Sequence, residues 1–554
     1  MKKVNYQLII VVSLISIFIY GPFIYEGGFG PQDDLIYVNH ALGKSNIIEL
    51  TIERLTSGID YVASREVAAR PIGMLGLTIA NVLFQDNPTP YIIVQIILWT
   101  LTIINLSYTV KHTVGNRVAM MFILLGQFPT FASTITFSSF RFGEYGLSIF
   151  FWTLSLVFQR KYVINRRIHD YLIAYFLLTL GLFSLSIILP LLIMSALLPI
   201  VYENNINNNL ISKSNILKYG WKYIFPVVLV GSLFLIYKIY GIKLFNVDSI
   251  PKGLEAGISL KSLIKFGYYF VVIFLEIPLM LLAVIPHLLN WDIAVIMILV
   301  LLFLYLIGNW EGRYLFESNE KIEINFINLV KLTLGFASVI FLISGYPSVT
   351  FGGYNRMLIP SFLLFTVIAS YYLCRTLNTN LKYVSLIIIF LWISSMNIQI
   401  SNFIESWQIR EYVYNDWSNK MKKTNLGEKP YVLACVPFFT SNNYNNEEVF
   451  LTHFYKAGLK IYGINEVNGE VICWRSISRN DNYMTVLNFS DKFIASKNMW
   501  YYEYDIKTQK SKLKKIKDQK ELDNKLEEIT ANNINRHPII YREKILMHLR
   551  SLVL

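Results

Sequence analysis

Two adjacent carboxylates, Asp33 and Asp34, are the residues of this chain best suited to proton transfer. They lie between Gly30 and Tyr37, shortly after the first apolar run. A neighbouring negative charge raises the proton affinity of a carboxylate, which suits a general base. The alternative is a solvated pair that caps the helix that follows.

Arginines stand at the edges of three polar segments, where apolar runs begin or end. They are Arg70, Arg141 and Arg356. The guanidinium fork matches the oxygens of a phosphate or pyrophosphate group, whereas the alternative is a side chain that only anchors the chain at the membrane surface. The same segments also contain Arg65, Glu66, Glu144 and Tyr354.

The composition is that of a membrane protein. Of the 554 residues, 54% are hydrophobic and 16% are charged, whereas a soluble chain carries about a quarter charged residues. Runs near the ~20 apolar residues of a spanning helix recur along the chain. The net charge of +13 is explained better by Lys and Arg on cytoplasmic loops than by nucleic-acid binding.

We predict a multi-spanning α-helical membrane protein with about eleven transmembrane helices. The N-terminus is predicted to be cytoplasmic and the C-terminal tail extracytoplasmic. An apolar helix at 72–85 is too short to span and is predicted to lie on the outer surface, ended by the breaker 86–90. The predicted spans are 8–24, 91–110, 118–135, 146–158, two within 171–202, 223–240, 292–308, 326–344, 357–374 and 383–400.

Two apolar stretches allow alternatives. Residues 171–202 contain Pro190 and form either a tight hairpin of two helices, which we favour, or one long kinked helix. Residues 265–288 contain Pro278 and Pro286 and are predicted to be a re-entrant or surface segment.

The chain divides into two predicted domains. Residues 1–405 form the membrane domain, and residues 406–554 form a small α/β domain outside the cytoplasm. Within the second domain, Tyr431–Val436 has the composition of a strand, and the charged stretch 507–530 is predicted to be a solvated helix.

The layout resembles the GT-C class of glycosyltransferases, which take a sugar from a polyprenyl-phosphate carrier. That class has an acidic pair in the first outer loop, and a surface helix and an Asn/Asp-Pro turn before the second span, as residues 72–90 provide here. More narrowly, Asp33-Asp34 followed by Ala69-Arg70-Pro71-Ile72 is similar to bacterial O-antigen-modifying glucosyltransferases of the Gtr type. The resemblance covers roughly residues 1–160 and extends to the stretch 354–360.

The resemblance implies a role for each candidate residue. Asp33 or Asp34 would be the catalytic base, and Arg70, Arg356 and Tyr354 would bind the donor phosphate. Arg65, Glu66, Arg141 and Glu144 would shape the pocket. No cofactor or essential metal is expected, because no ligand motif supports a divalent cation.

The expected function is transfer of a sugar, glucose by the resemblance, to a cell-surface glycan such as O-antigen at the outer face of the bacterial inner membrane. The expected partners are the lipid-linked donor, the glycan acceptor and the bilayer, without nucleic acid. One alternative is an O-antigen polymerase or other glycan-assembly protein, which would not need an acidic pair so soon after the first helix. The other is a lipid-linked sugar flippase or transporter, which would be expected to show repeated halves.

Overall fold

The structure, a computed structural model, describes most of the membrane domain and parts of the C-terminal domain. Helices dominate these residues, and a small sheet follows them. The described residues are 6–29, 34–58, 67–133, 143–206, 213–245, 260–282, 284–309, 320–339, 357–377, 379–424, 430–435, 468–471, 498–505 and 510–525.

The α-helices are numbered here in chain order. They are α1 Tyr6–Glu26, α2 Asp34–Ala41, α3 Ile47–Ser57, α4 Pro71–Phe84, α5 Pro88–Thr113, α6 Asn116–Gly126, α7 Tyr145–Asn165, α8 Ile168–Ser184, α9 Leu192–Ile206, α10 Lys213–Ile239, α11 Leu260–Val271, α12 Ile277–Leu282, α13 Trp291–Asn309, α14 Glu320–Ala337, α15 Ile359–Thr376 and α16 Lys382–Lys423. A π-helical turn, Val272–Glu276, joins α11 to α12. The 3-10 turns are Ser186–Leu191, Gly241–Phe245 and Ile285–His287.

Within the described residues, seven helical stretches are long and apolar enough to cross a membrane. They are Tyr6–Glu26, Pro88–Thr113, Ser186–Glu203, Tyr219–Ile239, Phe266–His287, Ile359–Thr376 and Lys382–Lys423. Shorter apolar helices accompany them at Pro71–Phe84, Asn116–Gly126, Ile168–Ser184 and Trp291–Ile307. Large apolar side chains on the outside of these helices are exposed, as contact with lipid requires. The protein is a mostly helical membrane protein, as the composition predicts.

The short helix predicted at 72–85 is present as α4. Pro71 occupies its first position, where a missing N–H costs no hydrogen bond. Gln85, directly after it, has a positive φ of 50°. Asn87 then caps α5 by accepting the N–H of Thr89 at 3.1 Å. The breaker therefore separates two helices, as predicted.

The helices taken together have two ends, and each end is named here after one arginine that lies there. At the Arg166 end, Arg160 donates to the hydroxyl of Tyr108 near the end of α5, at 2.7 Å. Cys374, near the end of α15, donates to the carbonyl of Arg117 at 3.6 Å. The opposite end, where α1 ends and α2 and α4 begin, is the Arg70 end.

Residues 171–202 form the predicted hairpin. α8 ends at Ser184, Leu185 is extended with φ −164° and ψ 139°, and α9 begins after a 3-10 turn. Arg166, ahead of α8, binds Glu203, late in α9, with an Nη2–Oε2 distance of 2.6 Å. Because the first residues of α8 and the last of α9 lie together, the chain reverses between them, and a single kinked helix is excluded.

α16 runs the whole length of the protein from the Arg166 end to the Arg70 end. Near its start, Ser385 and Thr376 share a hydroxyl hydrogen bond of 2.5 Å. Further along, the ring of Trp407 packs directly on Gly28, just after α1. The predicted span 383–400 is only its first part, and the predicted domain boundary at 405/406 falls inside this continuous helix.

The described elements on either side of the apolar stretch 265–288 have contacts at the Arg70 end. Before it, Lys238 in the last turn of α10 reaches Ser186 in the hairpin turn. After it, Asp292 at the start of α13 accepts a hydrogen bond of 2.6 Å from Asn397 of α16, and α13 continues to Ile307, whose carbonyl binds Arg117 at the Arg166 end. Phe266–His287 is itself long and apolar enough to cross a membrane, so the re-entrant or surface placement of this stretch stays a prediction.

The C-terminal sheet packs against the C-terminal half of α16. Its strands are β1 Tyr431–Cys435, β2 Asn468–Val471, β3 Met499–Asp505 and β4 Lys510–Lys515, in the order β2-β1-β3-β4. β1 is parallel to β2 and to β3, and β4 is antiparallel to β3. The ring of Trp417 stacks on that of Tyr502 at 4.9 Å.

The prediction of a helix across 507–530 is wrong for residues 510–515, which form β4. Lys510, Lys512 and Lys514 are exposed, whereas Leu513 packs against the core, so the period is that of a strand. Lysine suits an edge strand because its charge opposes pairing with another chain. A helical turn begins only at residue 519.

Candidate functional site

Arg70 and Glu144 form an ion pair that is removed from water. The Arg70 Nη1 and Glu144 Oε2 atoms are 2.7 Å apart, and the side chains are 17% and 0% exposed, respectively. A buried carboxylate needs a close cation, because its desolvation is otherwise uncompensated. The structure thus joins two of the predicted site residues, which are 74 positions apart in the chain.

Close contact between two backbones brings this pair together. A Cβ at Gly73 would lie 2.6 Å from the Ser184 carbonyl oxygen, and a Cβ at Gly143 would lie 2.8 Å from the Leu77 nitrogen. Only glycine permits such an approach. Arg70 directly precedes α4, which contains Gly73, and Glu144 lies between Gly143 and α7. The close approach of the backbones at these two glycines therefore fixes the distance between the two charges.

Lys238 is not among the site residues that the sequence predicts. Together with Arg70 and Glu144 it forms a cluster of three charged side chains. Its ammonium group donates to the Ser186 hydroxyl at 3.4 Å, and its charge is near enough to Arg70 for the two to repel. The neighbouring Tyr237 hydroxyl donates to the Ala68 carbonyl at 2.7 Å, which ties α10 to the turn before Arg70. A lysine in the last turn of a spanning helix is usually an anchor, so only the structure distinguishes it.

The helix α2, which directly follows Asp33, lies beside the same helix α4. α2 begins at Asp34, of which the backbone alone is described. Ile36 and Tyr37, in its first turn, share a hydrophobic core with Met74 and Leu77 of α4. Packing of α2 on α4 therefore places the first turn of α2 against the helix that Arg70 precedes.

The other predicted site residues lie outside the described residues. They are Asp33, Arg65, Glu66, Arg141, Tyr354 and Arg356. One contact bears on two of these loops: the Tyr145 hydroxyl donates to the Met357 sulfur at 3.9 Å. Tyr145 follows Glu144, and Met357 is the first described residue after the 345–356 loop. That all these side chains line one cavity stays a prediction.

The described cluster can bind an anion. Arg70 and Lys238 bring two positive charges beside the buried carboxylate of Glu144, in a place where water screens them poorly. The cluster also adjoins the first turn of α4, where helical N–H groups favour negative charge. Within the described part of the chain, no group of three His, Cys, Asp or Glu side chains could hold a metal ion.

Comparisons of the chain with protein-family models, with curated proteins and with solved structures found no match. Function must therefore be argued from the residues and their arrangement.

Proposed function

We propose that the protein is a membrane glycosyltransferase that moves a sugar from a polyprenyl-phosphate carrier to a cell-surface glycan such as O-antigen. The observation that carries the proposal is the cluster of Arg70, Glu144 and Lys238 at the end of the protein where α2 begins at Asp34. Excess positive charge suits the donor phosphate, and the acidic pair beside it suits deprotonation of an acceptor.

In the proposed reaction, an acceptor hydroxyl attacks the anomeric carbon of the donor sugar. The new bond joins the acceptor oxygen to that carbon, and the bond from the carbon to the phosphate oxygen breaks. The hydroxyl proton goes to Asp33 or Asp34, and the electron pair of the broken bond goes to the departing polyprenyl phosphate. Arg70 and Lys238 stabilise the charge that develops there, and Glu144 holds Arg70 in place.

The Arg70 end is proposed to face the outside of the bacterial inner membrane. Lys and Arg favour the cytoplasmic side of a membrane protein, and the Arg166 end contains the cluster Arg160, Lys161, Arg166 and Arg167. We carry over the sequence-based expectation of about eleven crossings. The N-terminus is then cytoplasmic, and the C-terminal sheet lies on the side from which the acceptor arrives.

The test is sugar transfer by purified protein in vesicles that contain undecaprenyl-phosphate-linked glucose, with an O-antigen glycan as acceptor. We expect wild type to transfer labelled glucose and Asp33→Asn/Asp34→Asn to lose at least about 100-fold of the rate. The matched control is Asp518→Asn/Asp523→Asn, which changes two exposed carboxylates of the C-terminal domain and should keep the wild-type rate.

Transfer that is unchanged in the Asp33/Asp34 double variant would overturn the proposed mechanism. If wild type instead joins preassembled glycan units or moves the lipid-linked sugar across the vesicle membrane, a polymerase or a flippase replaces the proposed function.

A further inference from the structure

Two buried arginines bind the backbone on either side of the acidic pair. Arg54, on α3, has no exposed surface. It donates through Nη2 to the Tyr37 carbonyl at 2.9 Å and through Nη1 to the Thr78 hydroxyl at 3.1 Å. Its guanidinium also lies 5.7 Å from the centre of the Tyr37 ring. Arg54 thus ties α2, which begins at Asp34, to α4.

Arg410, on α16, binds the other side. It is 1% exposed and donates through Nη2 to the Phe29 carbonyl at 2.8 Å. Its guanidinium lies 5.3 Å from the ring of Trp407, which itself packs on Gly28. Phe29 is the last described residue before the acidic pair, and 381 positions separate it from Arg410.

A neutral side chain would satisfy a carbonyl at a lower cost in desolvation. Arg54 has no ion pair with any residue in the described part of the chain; its hydrogen-bond partners there are neutral oxygens. Burial lowers the pKa of Arg54 to about 10, so the group is still charged at neutral pH. Burial of a charge without a carboxylate partner costs stability, and such costs are typical of functional sites.

We propose that Arg54 and Arg410 are positioning residues. They bind the carbonyls of Tyr37 and Phe29, on either side of the acidic pair, and through these two points they position the pair for the reaction. The guanidinium of Arg54 donates to two other elements, and that of Arg410 donates to Phe29 and to Ser406 of its own helix. Lysine reproduces such a planar set of donors only in part. The inference rests on the proposed function and adds two residues that touch neither donor nor acceptor.

The C-terminal sheet acts on the same segment through α16. Asp416, six residues after Arg410, accepts hydrogen bonds from Tyr502 at 2.9 Å and from Ser511 at 2.5 Å. Phe29, Tyr37 and the rings of Trp417 and Tyr502 belong to one hydrophobic core. Docking of the sheet therefore fixes the part of α16 that presents Arg410, which gives the C-terminal domain a role in positioning the acidic pair.

The test compares Arg410→Met, Arg410→Lys, Arg54→Met and Arg54→Lys with wild type in two measurements. The first is hydrogen exchange of the amides of residues 27–41 without any substrate. We expect each Met variant to exchange at least about tenfold faster there, and each Lys variant to fall between Met and wild type. The second is sugar transfer, where we expect kcat to fall about 10- to 100-fold and KM for the donor to change less than twofold.

Arg117 supplies the matched control. It is 8% exposed and donates through Nε to the Ile307 carbonyl at 3.1 Å, but it lies at the Arg166 end. Arg117→Met should lower the melting temperature and leave both the exchange of residues 27–41 and kcat at wild-type values.

The outcomes separate this inference from the proposed function. Wild-type exchange and wild-type kcat in both Met variants would overturn the positioning role, as would equal changes in Arg117→Met. If wild-type protein transfers no sugar, the proposed function fails, whereas faster exchange at residues 27–41 would still show that the two arginines hold the segment.

Discussion

Each end of the protein has a buried carboxylate paired with a cation and an arginine bound to neutral oxygens, which are Glu144 and Arg54 at one end and Glu203 and Arg117 at the other, but the two ends differ in their remaining charges. At the Arg166 end, Glu203 is bound by Arg166 and Lys222, and Glu323 is bound by Arg375 at 2.6 Å. At the Arg70 end, Lys238 and Arg54 have neutral hydrogen-bond partners among the described residues. The first arrangement joins helices. In the second, Arg54 holds the backbone of α2, and the charge of Lys238 is the one that we propose to face an anion.

The proposed function assigns different roles to the charges at the two ends. A buried ion pair with both partners present is mainly a constraint on how helices pack, because removal of one partner strands the other charge. Positive charge without a carboxylate costs folding energy, and that cost is recovered only when a negative group binds. Variants at the two ends should therefore affect different measurements.

The largest effect is expected at Arg70. Arg70→Met should lower kcat/KM for sugar transfer about 100-fold or more, because it removes a charge that stabilises the leaving phosphate. The comparison variant is Arg375→Met at the Arg166 end, which also removes an arginine from a buried carboxylate. It should reduce the yield of folded protein and leave the rate per folded molecule unchanged. An equal fall in kcat/KM in both variants would contradict different roles for the two ends.

A large loss of stability is expected at Glu203. Glu203→Gln should lower the free energy of unfolding by about 3 kcal/mol, because Arg166 and Lys222 lose their counter-charge. Thermal unfolding in detergent measures the loss. Transfer per folded molecule should stay at the wild-type value, and a selective fall in kcat would show that this pair has a functional role.

A smaller effect is expected from Gly143→Ala. The new Cβ would lie 2.8 Å from the Leu77 nitrogen, so α4 and α7 must separate, at a cost of about 2 kcal/mol. Because Glu144 moves with Gly143, kcat should also fall. Gly335→Ala is the control, since a Cβ there meets nothing within 4 Å. Similar unfolding curves for the two variants would contradict the tight glycine contact.

The smallest effect is expected at Glu53, an exposed carboxylate at the Arg70 end. Its hydrogen bond from Lys44 lowers its pKa below the usual 4.5. Such a group stabilises the folded protein at pH values above its pKa in the unfolded state. This stabilisation is lost as the pH falls through its pKa in the folded state. Glu53→Gln should therefore cost under about 1 kcal/mol at pH 7, and the difference from wild type should disappear once the pH has fallen below the folded-state pKa of Glu53. A difference that persists there would contradict this account.

The sequence was sufficient for the features that depend on local composition. The helix α4, the breaker before α5 and the reversal within 171–202 follow from apolar runs and prolines. Arg70 and Glu144 were selected as site residues because each lies at the edge of a polar segment. Their direct pairing was not predicted, because it depends on glycine contacts between helices distant in the chain.

The features that the sequence could not supply are contacts over long separations. Arg410 looks like any charged residue of a polar helix, and only its 2.8 Å contact with Phe29, 381 positions away, distinguishes it. Lys238 carries the signature of a membrane anchor. The sequence predicts a helix at β4 because its many lysines obscure the alternation of exposed and half-buried side chains. The pairing of β4 with β3 makes this alternation evident.

The most direct test of the difference between the two ends is to locate the bound lipid phosphate. An undecaprenyl-phosphate analogue with a photoreactive group beside the phosphate would be cross-linked to the protein in vesicles, and the labelled peptides identified by mass spectrometry. We predict labelling of residues 67–77, 143–147 and 237–240, suppressed by excess unlabelled lipid and reduced in Lys238→Met. Labelling at the Arg166 end, or equally at both ends as a flippase would give, would contradict the account.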